Sequence, residues 1–216
     1  MAVKAVLFDF DGTVADTAPD LGHALNRQRL ARNQSLLPIE LIRTVASAGA
    51  RGLLELGFDL KPNDADYPAM REEFLSFYTE RICQDTCLFP GIPELLEQLD
   101  NQAIPWGIVT NKPARFTQPL THLLGLHHRA HCVISGDDTG YTKPHPEPLL
   151  AACRQIKVMP DHCIYLGDDI RDVQASLAAG VKPVVALYGY LGRGDPPETW
   201  GASELIDHPR DLLRYI

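Results

Sequence analysis

The second half of the chain alternates between short apolar runs and longer amphipathic segments, and this alternation constrains the fold more than any other feature. It begins after Phe89-Pro90-Gly91 and continues to the C-terminus. Parallel strands need crossover connections, usually helices, so this order predicts a parallel sheet covered on both faces. The predicted strands are 106–110, 132–134, 164–166 and 184–187, the predicted helices are 92–99, 113–124, 146–156 and 170–179, and residues 205–206 and 211–216 complete the domain.

An apolar run near the N-terminus, residues 5–8, predicts one more buried strand, and two acidic residues and a Gly-Thr turn follow it. Asp9 and Asp11 would share one side, with Cα atoms ~7 Å apart. They would lie at the C-terminal end of the strand, where open α/β sheets bind ligands. An ordinary Asp-Gly turn is the alternative for this stretch alone. Two carboxylates ~4 Å apart repel by about 4 kcal/mol at an effective dielectric near 20, which favours a bound cation or a retained proton. Oxygen ligands suggest Mg²⁺.

Residues 15–85 differ in character, with several helical stretches and no convincing strand. The predicted fold class is therefore α/β: a Rossmann-like parallel sheet with helices on both faces and an inserted all-helical cap. The core would comprise residues 1–14 and 86–216, and the cap residues 15–85. Thr17 and Asp20 resemble a capping box that opens the first cap helix.

A stretch of small residues within the insertion, 46–52, predicts a flexible loop. Glycine and alanine there would let the backbone approach a ligand, and Arg51 would offer a planar guanidinium. A plain helix connection is the alternative.

Polar side chains follow two further predicted strands. Thr110, Asn111 and Lys112 come in succession after strand 106–110 and could bind a phosphate, although Thr-Asn also serves as a helix cap. The alternative for Lys112 is a solvated side chain that binds no phosphate. Lys143 follows strand 132–134, and the proline after it keeps it out of a helix; a surface lysine is the alternative.

A fourth strand end carries Asp168, and Asp172 lies one helical turn further on, so both could face one point. Four strand ends thus carry Asp and Asp, then Thr, then Lys, then Asp. This order resembles the four motifs of the haloacid dehalogenase (HAD) superfamily, and the insertion after the first motif is similar too. Within it, Thr110-Asn111-Lys112-Pro113 resembles the phosphoglycolate phosphatase-like group.

The resemblance implies a Mg²⁺-dependent phosphomonoester hydrolase that works through an aspartyl-phosphate. Asp9 would be the nucleophile and a metal ligand, while Asp11 would act as general acid and base and bind the metal through its main-chain oxygen. The other implied site residues are the metal ligand Asp168, its supporting neighbour Asp172, and the phosphate- and substrate-binding residues Thr110, Asn111, Lys112, Lys143 and Arg51.

The expected substrate is a small phosphorylated metabolite. Stretches 49–51, 111–116, 188–190 and 200–202 resemble enzymes of this group that act on N-acetylmuramate 6-phosphate in peptidoglycan recycling. The alternative substrate is 2-phosphoglycolate, and both carry a carboxylate that Arg51 could bind. Residues 115–116 and 188–190 would offer aromatic faces to a sugar ring.

Other functions for the same residues are a sugar-phosphate mutase, a catalytically silent protein of this fold, and a signalling receiver domain. Receiver domains run to about 120 residues, near the mode for single domains, and lack a cap, so they fit this chain poorly.

The charge balance and the cysteines indicate which partners and which cellular compartment to expect. The 216 residues include 20 basic and 28 acidic side chains, a formal charge of −8, so nucleic acid and membrane surfaces are not expected partners. Lys4 and Asp9 interrupt the N-terminal apolar run, so neither a signal peptide nor a membrane span is expected. The five scattered cysteines favour reduced thiols over a disulfide framework. Together with the N-terminal sequence, they predict a cytoplasmic protein. The sequence does not indicate an oligomeric state.

Overall fold

A computed structural model describes residues 2–216 and is built on a six-stranded parallel sheet. Its strands lie in the order β5-β4-β1-β6-β7-β8, and β2 and β3 pair separately, antiparallel. The strands are β1 (Ala5–Phe8), β2 (Ala15–Asp16), β3 (Cys87–Leu88), β4 (Trp106–Val109), β5 (Cys132–Ile134), β6 (Cys163–Gly167), β7 (Lys182–Ala186) and β8 (Glu204–Ile206).

Helices cover both faces of this sheet. The helices are α1 (Ala18–Leu30), α2 (Ile39–Ala46), α3 (Gly49–Phe58), α4 (Tyr67–Glu80), α5 (Ile92–Asn101), α6 (Ala114–Leu123), α7 (Glu147–Ile156) and α8 (Ile170–Ala179), with short 3-10 helices at Pro160–His162, Pro197–Thr199 and Pro209–Tyr215. Along β1, Val6 and Phe8 pack into the cluster that contains residues of α5 and α6, whereas Ala5 and Leu7 pack into the cluster that contains residues of α7 and α8. Successive side chains point to opposite faces, so an unbroken apolar run was the correct signal for a central strand. The predicted fold class is confirmed.

The four helices α1 to α4 follow β2 and precede β3, and their buried apolar side chains form a cluster that Phe116 of α6 and Tyr190 also join. Sequence patterns predicted no strand in this region, so β2 is a correction. Its two residues pair with β3, more than seventy positions further along the chain, and such a short, non-local pairing leaves no periodic signal. The limits at residues 15 and 85 stay a prediction. Among the helices of residues 2–216, none is long and apolar enough to cross a membrane.

The predicted flexible loop at 46–52 is wrong, because α3 begins at Gly49 and leaves only a short turn at Ser47 and Ala48. Small residues serve close packing here. A Cβ atom at Gly52 would lie 2.6 Å from the Cβ atom of Ala48 and 2.9 Å from the carbonyl oxygen of Val45. The glycine therefore allows α3 to approach the end of α2, which a flexible loop would not require.

The capping box predicted at the start of α1 is also wrong, because Thr17 makes no side-chain cap. Its hydroxyl donates to Asp11 instead. Asp20 is fully buried and accepts hydrogen bonds from the N–H groups of Asp85 and Thr86, at 3.0 and 2.8 Å. These bonds join the start of α1 to the segment that returns to the sheet.

Candidate active site

The C-terminal ends of the strands surround a cavity of about 170 Å³, which α1, α4 and the turn between α2 and α3 close from the other side. Most of the residues predicted from the strand ends line it. They are Asp9, Asp11, Thr110, Asn111, Lys112, Lys143 and Asp172. The structure thus brings together groups that lie up to 163 positions apart, from Asp9 to Asp172.

Lys143 is the most enclosed cation of the site, with 3% of its side chain exposed, so the alternative of a surface lysine is excluded. Its ammonium lies 2.7 Å from a carboxylate oxygen of Asp9 and 2.7 Å from one of Asp172. It also donates to the Tyr165 hydroxyl and to the carbonyl oxygen of Val109, at 2.7 and 3.1 Å. One oxygen of Asp9 is therefore held, and the carboxylate is oriented.

Three buried carboxylates meet beside this lysine. Oxygen atoms of Asp9, Asp168 and Asp172 all lie within 4.8 Å of one another. Burial raises the pKa of Asp9 to about 7, with the charge of Asp172 adding to the shift and Lys143 opposing it. Burial and the neighbouring Asp9 and Asp172 raise the pKa of Asp168 well above its usual value. One ammonium does not offset three carboxylates, and a divalent cation with a preference for oxygen ligands fits this donor set.

Asp168 is held by hydrogen bonds and by close contacts with the main chain. It accepts hydrogen bonds from the Thr13 hydroxyl and the Tyr190 N–H group, at 3.0 and 2.9 Å. A Cβ atom at Gly12, where φ is +88°, would lie 2.2 Å from an oxygen of Asp168, and one at Gly189 would lie 2.3 Å from its Cβ atom. Only glycine fits at either position, and the two main-chain segments enclose the carboxylate.

Asp11 forms an ion pair with Lys112, whose ammonium lies 2.9 Å from Oδ1. The Thr17 hydroxyl donates to the same oxygen, and Oδ2 has no partner among residues 2–216. The Lys112 side chain is 7% exposed and its ammonium lies 4.9 Å from the centre of the Tyr78 ring, so the solvated alternative is excluded. Burial alone would lower the pKa of Lys112, but Asp11 and Tyr78 raise it.

Thr110 and Asn111 shape the loop beyond β4. Thr110 is buried, and its hydroxyl accepts a hydrogen bond from the N–H group of Lys112 at 3.2 Å. The Asn111 amide donates to the carbonyl oxygen of Lys143 at 2.9 Å and accepts from its N–H group at 2.8 Å. Asn111 lines the cavity, but its side chain is committed to positioning Lys143.

Arg51 is not brought together with the other predicted site residues. It is exposed on α3 and lines an adjoining groove with Arg193 and Trp200. The groove and the cavity share Ser47 and Arg171 as lining residues. The expectation that it would enter the cavity depended on a flexible loop, and the helix that begins at Gly49 removes that freedom.

The aromatic residues were predicted only in part. Phe116 lines the cavity as expected. Tyr190 does not: it is 6% exposed, and its hydroxyl accepts from the Ala18 N–H group and donates to Asp16. Tyr188 donates to the carbonyl oxygen of Thr13. These two tyrosines hydrogen-bond to residues next to the site, and neither ring lines the cavity.

Sequence reasoning missed residues of α4 and α8 that line the cavity. On α4, Arg71, Phe74, Leu75 and Tyr78 form one stripe, spaced as residues on a single helix face are. That spacing is visible in the sequence, where it is typical of the packing face of a helix. Arg171 of α8 pairs with Asp169 and donates to the carbonyl oxygen of Ser47 at 2.9 Å. No local sequence pattern predicts the contact with Ser47, which lies 124 positions away.

We expect Lys143→Met to lower kcat/KM by roughly 10²- to 10³-fold, because the phosphate would lose a preorganised cation and Asp9 its orientation. Lys112→Met should have a smaller effect, since Lys112 pairs with Asp11 and not with Asp9. Phosphate release by both variants under saturating and limiting substrate checks this order. Equal activity of Lys143→Met and the wild type would show that the phosphate does not bind beside Asp9.

Known proteins are similar to this chain over nearly its whole length. A family model for haloacid dehalogenase-like hydrolases matches residues 6–186. An N-acetylmuramic acid 6-phosphate phosphatase of Pseudomonas aeruginosa is 39% identical over 216 residues, which is 100% of this chain and 96% of the relative. A phosphoglycolate phosphatase of Xylella fastidiosa is 39% identical over 211 residues, 98% of this chain and 92% of the relative.

A solved structure shares the architecture. The crystal structure of a predicted phosphoglycolate phosphatase from Haemophilus somnus 129PT superposes with a TM-score of 0.86 and 27% identity, over 98% of this chain and 97% of that one. Both the sheet and the inserted helices fall within the matched length, so the resemblance drawn from the four strand ends is confirmed.

Proposed function

The chain belongs to the haloacid dehalogenase-like hydrolases and is a phosphatase, and from that premise we propose that it hydrolyses N-acetylmuramate 6-phosphate through an aspartyl-phosphate formed on Asp9. The observation that carries this proposal is the buried Asp9 carboxylate, with one oxygen bound to Lys143, at the floor of a cavity closed by helices.

In the first step, an oxygen of Asp9 forms a bond to phosphorus while the bond from phosphorus to the ester oxygen breaks. Asp11 gives its proton to the departing oxygen, and Oδ2 is its available atom because Oδ1 is held by Thr17 and Lys112. In the second step, Asp11 accepts a proton from water, the water oxygen attacks phosphorus, and the bond to Asp9 breaks. Lys143 and the loop at Thr110 bind phosphoryl oxygens.

Mg²⁺ belongs to the proposal as the cofactor. Asp9 and Asp168 would hold it, together with the main-chain oxygen of Asp11, and Asp172 would support it from behind. The ion would supply positive charge that offsets the repulsion between the phosphate and the carboxylates. The three carboxylates within 4.8 Å support this assignment.

The four helices between residues 15 and 85 would act as a cap that reads the substrate, while the core binds only the phosphoryl end. A cytoplasmic site of action is part of the proposal, and the five free cysteines fit a reducing compartment.

One observation favours 2-phosphoglycolate as a second candidate. The cavity of about 170 Å³ lies below the roughly 300 Å³ at which sites for drug-sized ligands begin, so it suits a smaller acid unless the helices move outward. A relative of equal identity is named for that activity.

Phosphate release from purified protein tests the proposal. We expect Mg²⁺-dependent turnover of N-acetylmuramate 6-phosphate that EDTA abolishes and added Mg²⁺ restores, with a kcat/KM above that for 2-phosphoglycolate. A tenfold preference for 2-phosphoglycolate would overturn the substrate and leave the phosphatase intact. Full turnover in EDTA would overturn the role of the metal.

A further inference from the structure

Four cations line the cavity, and three of them already have carboxylate partners. Lys143 pairs with Asp9 and Asp172, Lys112 with Asp11, and Arg171 with Asp169. The fourth is Arg71, which is half-buried on α4 and has neither a hydrogen bond nor an ion pair with any residue from 2 to 216. The cavity therefore offers a single guanidinium whose charge the protein itself does not offset.

Arg71 lies at the opposite end of the cavity from the phosphoryl site. Tyr78 marks the catalytic end of α4, because its ring lies beside the Lys112 ammonium. Arg71 precedes Tyr78 by seven residues, which places its Cα atom about 10 Å further along the helix axis. Side chains on a helix lean toward its N-terminus, so we expect the Arg71 guanidinium to extend away from Tyr78.

The wall between these two ends is apolar. Phe74 and Leu75 lie between Arg71 and Tyr78 on the same face of α4, and Phe116 packs against Tyr78 with ring centres 5.4 Å apart. A ligand that fills the cavity thus meets a phosphate site, then apolar and aromatic surface, then a free guanidinium.

We infer that Arg71 binds the carboxylate of the substrate and makes the enzyme selective for phosphate esters that also carry an acid group. The inference deepens the proposed function and rests on it. A guanidinium binds a carboxylate through two parallel N–H···O bonds, which a neutral sugar cannot replace. The distance along α4 favours an acid whose carboxylate lies across a ring from its phosphate, as the lactyl group of N-acetylmuramate 6-phosphate does. In 2-phosphoglycolate only one carbon separates the ester oxygen from the carboxylate.

A pair of substrates that differ only in the acid group tests this assignment. N-acetylglucosamine 6-phosphate is N-acetylmuramate 6-phosphate without the lactyl ether. We expect the wild type to prefer the muramate, and Arg71→Ala to lower kcat/KM for it by roughly 10- to 100-fold while changing the glucosamine value less than twofold. Arg71→Lys keeps the charge without the two-pronged geometry and should fall in between.

Two further variants serve as comparisons. Glu72→Ala removes an exposed charge from the same helix and should keep the wild-type ratio between the two substrates. Arg51→Ala removes the arginine that the sequence predicted for this role. Loss of the preference in Arg51→Ala, with Arg71→Ala unchanged, would overturn the inference.

These measurements distinguish a failure of the inference about Arg71 from a failure of the proposed function. If Arg71→Ala slows both sugars equally, with an unchanged melting temperature, the arginine does not read the carboxylate and the inference fails, although the phosphatase stands. If the wild type instead prefers 2-phosphoglycolate, the proposed substrate fails and the phosphatase stands. A loss of that activity in Arg71→Ala would then overturn the inference that Arg71 selects an acid lying across a ring from its phosphate.

Discussion

Asp9→Asn is expected to abolish phosphatase activity, with kcat at least about 10³-fold below the wild type. The amide is not an adequate nucleophile, and it also removes one of the anionic oxygens that lie within 4.8 Å of Asp168 and Asp172. Asparagine has nearly the shape of aspartate, so it can still accept the hydrogen bond from Lys143. Phosphate release with excess Mg²⁺ measures the loss.

The melting temperature provides the control for this variant. Burial and neighbouring carboxylates disfavour the charge on Asp9, so in metal-free buffer Asp9→Asn should melt no lower than the wild type. An inactive variant that is folded and stable isolates the chemical role of Asp9. Retention of even a tenth of the wild-type activity would contradict the aspartyl-phosphate route.

Asp11→Asn is expected to lose roughly 10²- to 10⁴-fold in kcat on a sugar phosphate, because both steps lose their proton partner. A substrate with a good leaving group does not need protonation in the first step. With p-nitrophenyl phosphate, the variant should therefore release a burst of nitrophenol equal to the enzyme concentration and then stall as the phosphoenzyme. Rapid-mixing absorbance measurements detect that burst.

Thr17→Val is the matched control for this prediction. It removes the hydroxyl that holds Oδ1 of Asp11 and leaves the carboxylate and Lys112 in place. We expect a smaller loss of kcat and no burst. A linear time course for Asp11→Asn at wild-type rate would exclude Asp11 as the proton carrier, whereas a burst in Thr17→Val alone would assign that role to the hydroxyl.

The strands of the sheet and the chemistry at their ends could be predicted because each depends on residues close in sequence. The run Ala5 to Phe8 is apolar since both of its faces are buried, and the acidic and hydroxyl groups follow strands directly, whereas Lys143 lies in the loop after β5. Parallel strands bring their carboxyl ends to one edge, so Asp9, Thr110, Lys143 and Asp168 had to lie near one another.

Partners within the cap required the tertiary structure. Thr17 and Asp20 have the local spacing of a capping box, yet each binds a group that the fold brings close, Asp11 for the one and Thr86 for the other. Gly52 has the appearance of a flexible residue, but its lack of a Cβ atom is used in helix packing. In each case a local preference of about 1 kcal/mol is overridden by burial and by long-range hydrogen bonds.

By itself, then, the sequence determined the sheet and the place of the aspartates and of the Thr110 loop at its edge, because period and position along one strand specify them. Only the tertiary structure decided which arginine faces the cavity. Arg51 and Arg71 are equivalent as sequence, each a cation on an inserted helix. The turn at Ser47 and Ala48 lets α3 begin early and leaves Arg51 in an outer groove, whereas α4 packs its Arg71 face over the strand ends. The orientation of a whole helix depends on all the helices it packs against, and no short stretch of sequence contains that information.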